Sequence, residues 1–155
     1  MKLEDQVCSL ELSKKLLTLG VNQNSLFYWT ICHDCEKEYP EGSVQWELGY
    51  EKSHGENISA FTASELGYLL PNGVVTPNNE PFNSFRILIS KFISFENELM
   101  IRNFVINYEC DTCETHGKKA FVARKLTNNI YDPNLANAMA KMLTYLLENG
   151  LINNE

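Results

Sequence analysis

The string "FRILISKFISFENELMIRNFVINYEC", residues 85 to 110, constrains the fold more than any other part of the chain. Phe85, Ile87, Ile89, Ile93 and Phe95 alternate with Arg86, Ser90 and Ser94, while Met100, Phe104, Ile106 and Tyr108 keep the same period in a second run. A period of two lines one face of a strand with one kind of side chain. With Glu96, Asn97 and Glu98 between the runs, the spacing predicts a long antiparallel hairpin with an apolar face. Such a face must be covered, and amphipathic helices are the usual cover.

Three segments can supply them. In "SLELSKKLLTLG", Leu12, Leu16 and Leu19 share one side at helical spacing, Ser9 is a cap and Gly20 a stop. In "TASELGYLL", Thr62 and Glu65 form a capping box, each side chain meeting a free backbone amide of the other, and a short helix should run to about Leu70. Pro71, Asn72 and Gly73 break it. Asp132 followed by Pro133 predicts the start of a last helix, whose stripe is Leu135, Met139, Met142, Leu143 and Leu146. Gly150 with Leu151 reads as its terminating turn and hydrophobic contact.

The remaining strand signals are "SLFYWTIC", Ser25 to Cys32, "SVQWELGYE", Ser43 to Glu51, and "KAFVARKL", Lys119 to Leu126. Thr76 to Ser84 is rich in Pro and Asn and reads as an exposed connection. The element order is helix, two strands, short helix, three strands, long helix. It predicts an α+β fold in which a single antiparallel sheet of about five strands carries two or three helices on one face. The other face should be partly polar or covered by something else. At 155 residues this is one domain, residues 1 to 155.

Thirteen basic against twenty acidic residues leave a formal charge of -7, which repels nucleic acid unless positive charges cluster locally, and so favours protein partners. One such cluster is Lys118, Lys119, Arg124 and Lys125, with Phe121 available for stacking. No apolar run reaches the roughly 20 residues a membrane helix needs, and "MKLEDQVCSLE" lacks a signal-like apolar stretch. The expectation is a cytoplasmic protein without a membrane association.

Of five cysteines, Cys32 and Cys35 form one two-apart pair and Cys110 and Cys113 another. Each pair follows a strand-like run, and in a reducing compartment such pairs suit a metal better than a disulfide. If neighbouring strand ends of one sheet bring the loops together, four thiolates can hold a structural zinc tetrahedrally. Lys37, Lys118 and Lys119 would offset the excess negative charge of that centre, and His33 or His116 could replace one sulfur. A redox role is disfavoured because neither pair opens a helix. Cys8 is left over and reads as a small buried hydrophobe.

The chain contains no Gly-rich nucleotide loop, no HExxH and no nucleophile elbow, so no catalytic residue is assigned. Lys91 and Arg102 interrupt apolar strand faces, as residues that guard an edge or snorkel to water do. The runs "LELSKKLLTLGVNQNSLFYW", "ISAFTASELGYLLP" and "AKMLTYLLENGLI" together resemble a family of small uncharacterised proteins of phages, prophages and related bacterial genomes. That resemblance implies an accessory protein of a mobile element or its host, and it carries no catalytic residue. The cysteine pairs are not part of the family's pattern. The expected role is that of a non-enzymatic protein-binding module stabilised by zinc, the alternative being a zinc-stabilised nucleic-acid binder.

Overall fold

The computed structural model describes residues 2–31, 45–50, 55–75, 84–96, 99–110, 113–115, 118–120, 124–125 and 130–153. Among the described residues there are three α-helices, α1 (Leu10–Thr18), α2 (Ala63–Leu69) and α3 (Leu135–Glu148). Strands β1 (Tyr28–Ile31), β2 (Trp46–Gly49) and β3 (Asn57–Ser59) precede α2. After it come β4 (Gly73–Val75), β5 (Ser84–Glu96), β6 (Leu99–Cys110), β7 (Cys113–Thr115), β8 (Lys118–Ala120), β9 (Arg124–Lys125) and β10 (Ile130–Asp132).

The long hairpin is present: β5 and β6 pair antiparallel from Arg86 opposite Glu109 to Glu96 opposite Leu99. They are the centre of a sheet ordered β10-β6-β5-β4. β9 and β10 both lie along the outer side of β6, opposite Glu109 and Cys110 and opposite Phe104 to Ile106 respectively. Between those two paired stretches the returning chain has two more residues than β6, so the register changes by two.

The α+β class holds, but the single sheet does not. β1 is flanked by β2 on one side and β3 on the other, which makes a separate three-stranded sheet, and β7 pairs with β8 as a two-stranded one. The reason is local. Once β3 occupies the second side of β1, no free edge of that strand is left for the later hairpin, and α2 then carries the chain to the other sheet. "KAFVARKL" is likewise not one strand, since β8 and β9 pair with different partners. "GENISAF", which carries no alternation, nonetheless yields β3.

Packing centres on α3, which touches α1, α2, β6 and β10. Its Met139, Met142, Leu143 and Leu146 join Leu16, Phe61, Leu66, Leu70, Val74 and Ile106 in one buried cluster. Each such side chain contributes about 1.5–3 kcal/mol on leaving water. Val105, Ile106 and Asn107 are all buried, so β6 is covered on both faces there rather than on one. Ile89, paired with Ile106, stays 44% exposed.

The helix ends follow local chemistry. Ser9 caps α1, its hydroxyl accepting from the Leu12 amide. Past its end Gly20 adopts φ 80°, its amide donating to the Leu17 carbonyl at 2.9 Å while that of Val21 donates to Leu16 at 3.0 Å. The same turn closes α3, with Gly150 at φ 62° and the Leu151 amide on the Leu146 carbonyl. The start of α3 differs from expectation: Asn134, not Asp132, is its cap, and the Asn134 carboxamide oxygen accepts from the Asn137 amide. Asp132 ends β10 and instead accepts from the Asn134 amide at 2.8 Å.

Two glycines should respond oppositely to alanine. At Gly20 the left-handed backbone makes Ala costly, by about 1–2 kcal/mol. Gly67 lies inside α2, and a Cβ there would meet the Met139 Cε at 3.4 Å, an ordinary contact. Gly67→Ala should therefore stabilise by about 0.5–1 kcal/mol. Urea midpoints of the two variants against wild type measure both signs.

Candidate functional site

Two open clefts among the described residues lie against the helices. The first, about 580 Å³, sits at the amino ends of α2 and α3 and is lined by Thr62, Ser64, Asn134, Leu135, Leu26 and Phe104 among others. Its rim is tied together by side chains already engaged in the fold. Asn134 Nδ2 donates to the Val7 carbonyl at 3.0 Å and the Glu4 carbonyl at 3.3 Å, and the Ser9 amide donates to Asn137 Oδ1 at 2.7 Å. These bonds fasten the amino-terminal segment to α3.

Glu65 performs a similar task at the start of α2. Its carboxylate accepts from the Thr62 amide at 2.7 Å, the Thr62 hydroxyl at 2.7 Å, the Leu26 amide at 2.8 Å and the Ser25 hydroxyl at 3.2 Å. Partial burial pushes this carboxyl up, but the donors from Thr62, Leu26 and Ser25 outweigh it and hold it below the ordinary glutamate range. A carboxylate so fully occupied is a structural acceptor, not a base for catalysis. The capping box is legible in "TASE"; the reach to Ser25 and Leu26 is not.

The second cleft, about 570 Å³, opens where the helices end. It is lined by Gly20, Val21 and Asn22 after α1, Tyr68 and Leu69 in the last turn of α2, Leu143 of α3, and Ile152 and Asn153 beyond it. Tyr68 is 92% exposed and Leu69 41%. Helical spacing explains both: Leu66 and Leu70 point inward, which turns the residues between them out. Tyr68 was not a candidate from sequence, although that spacing was the available signal.

Other titratable and nucleophilic groups have structural partners. Lys141 Nζ lies 2.6 Å from Asp132 Oδ2 and joins α3 to β10. Cys8 is fully buried, 3.2 Å from the Ser13 hydroxyl, and burial pushes its thiol up, as expected for a packing residue. Exposed Lys91 lies over the ring of Phe104 at 5.7 Å, the residue opposite it on β6.

Cys32 and Cys35 lie outside the described residues, as do His33, His116, Lys37 and Phe121. Cys110 closes β6 opposite Arg124, and Cys113 opens β7 opposite Ala120; the side chains of both are outside the description. The strand before the first pair, β1, and the strand before the second, β6, belong to different sheets. Strand pairing within one sheet is therefore not what could join the two loops. Among the described residues no three His, Cys, Asp or Glu side chains form a metal-binding group.

Glu65→Gln should lower stability by about 1 kcal/mol at pH 7, a value reduced for the partial exposure of the site. Because the folded carboxyl titrates below its unfolded value, the contribution is complete above the unfolded pKa and is lost as pH falls through the folded one. The gap between wild type and Glu65→Gln should close below about pH 4, as read by thermal melts from pH 3 to about pH 7.

No protein-family model, curated protein or solved structure matches this chain.

Proposed function

We propose that this chain is a non-enzymatic accessory protein of the phage and prophage type that works by binding another protein, with zinc at Cys32, Cys35, Cys110 and Cys113 stabilising the fold. The observation that carries the binding role is the cleft at the helix ends, where the ring of Tyr68 stands 92% exposed beside Leu69. An exposed aromatic side chain at the edge of a cleft is a common anchor of protein interfaces. The acidic balance of the chain acts in the same direction, against a nucleic-acid partner. No helix among the described residues is long and apolar enough to cross a membrane.

The nucleic-acid alternative rests on Lys118, Lys119, Arg124 and Lys125. The strand register places Glu114 opposite Lys119 and Glu109 opposite Lys125, so acidic residues stand across from two of the four basic ones. Opposite charges at paired positions reduce the field a phosphate backbone would meet. That favours the protein-binding reading.

Immobilised full-length chain should retain a partner from host lysate in near-stoichiometric amount, displaced by free chain. Repeatedly empty captures together with turnover of a small substrate would overturn the proposal. For the metal, native mass spectrometry of protein purified without chelator should show about one zinc per chain, and Cys32→Ser or Cys110→Ser should lower both occupancy and melting temperature. Metal-free protein with wild-type melting would remove the zinc.

A further inference from the structure

We propose that the outer edge of β5 pairs antiparallel with the same edge of a second copy of this chain, joining two sheets into one across a two-fold axis at Ile93. This self-association is separate from the binding of another protein at the cleft. β4 covers β5 only from Ser84 to Arg86, and just beyond it the Ile87 amide donates to the Asn72 carbonyl at 3.4 Å. Past Ile87 no strand among the described residues lies along that side, while β5 continues to Glu96.

In an antiparallel sheet the amide and carbonyl of one residue point to the same neighbour, and successive residues alternate. The Ile87 amide points to the β4 side, and β5 pairs with β6 from Arg86 to Glu96 without a bulge. Ile89, Lys91, Ile93 and Phe95 therefore turn their amides and carbonyls outward, while the residues between them turn theirs to β6. Ile89, Ser90 and Lys91 are exposed in succession, so neither face of the strand is covered where this edge begins. A long edge with no Pro, Gly or bulge is a template for a further strand.

Symmetry selects the occupant. An antiparallel edge is its own complement under a two-fold axis, since each outward amide meets a carbonyl of the other copy. Charge and space then select the register. Centring the axis on Lys91 would set two ammonium groups against each other. Centring it on Phe92 would bring the residue after Glu96 opposite Ile87, where Asn72 already sits. Centring it on Ile93 avoids both: Ser90 to Glu96 of one copy runs along Glu96 to Ser90 of the other, with Lys91 opposite Phe95 and Ile93 opposite itself. Lys91 thus restricts which pairing the edge accepts rather than closing it.

Sedimentation equilibrium of the full-length chain reads the association. Wild type should be largely dimeric at about 100 µM, a weak association in keeping with so short a pairing. Ile93→Lys and Ile93→Glu, both with wild-type circular dichroism, should each weaken it about fivefold or more. An equimolar mixture of the two should recover about that factor, because like charges face each other in each homodimer and opposite charges in the mixed one. Independently of these variants, Phe95 replaced by photoreactive p-benzoylphenylalanine should cross-link to residues 90 to 92 of the other copy. Mixing isotope-labelled with unlabelled chain identifies the cross-link as one between copies.

A wild type that stays monomeric at that concentration would overturn the self-pairing. Cross-links from position 95 to a lysate protein would then assign the edge to a partner's strand. Dimers that the mixture fails to rescue, or cross-links between copies to another segment, place the contact elsewhere and overturn it as well. These measurements use purified chain alone, so empty lysate captures would sink the reading of the cleft and leave this one standing.

Discussion

Burial of the α3 stripe is the interaction on which the other layers depend. α1 and α2 pack on it from the helical side, and β6 and β10 from the sheet side, so Met139, Met142, Leu143 and Leu146 are the shared floor of otherwise separate pieces. Ala136, Ala138 and Ala140 are buried as well, which keeps α3 slim enough for neighbours to approach. Neither small sheet nor short helix could bury enough apolar surface alone; a nine-residue and a seven-residue helix are marginal in isolation. Their stability is therefore tertiary.

Polar fasteners set the geometry that apolar contact leaves loose. Asn134 and Asn137 hold the amino-terminal segment against the start of α3, and Glu65 holds residues 25 and 26 against the start of α2. The Lys141 to Asp132 pair fixes β10 on the same helix. These contacts are directional, so they specify where each element sits rather than how strongly the whole coheres.

The elements legible in the sequence are those whose signals are local. The Thr62 and Glu65 capping box, the Gly20 and Gly150 turns and the alternation of the long hairpin all depend on neighbours within a few residues. What was not legible depends on competition between distant segments. Whether β1 pairs with β3 or with the hairpin is decided by edges that pattern alone does not rank, and the one-sheet expectation failed at that step. The α3 cap is a local matter: Asp132 ends β10, where it accepts from the Asn134 amide and pairs with Lys141, and Asn134 starts the helix.

The candidate cleft shows the same division. Its lining comes from residues just past α1, at the last turn of α2 and just past α3, which no local pattern groups together. Once the three helices dock, their ends coincide because each stops at a Gly or Pro boundary after a comparable apolar stripe, and docking aligns stripes rather than sequence. The same stops that terminate the helices therefore create the opening. Gly20 is itself part of the lining, and its left-handed turn sets Val21 and Asn22 beside Leu143 and Ile152. Helix termination and the proposed recognition surface are in this sense one property of the sequence.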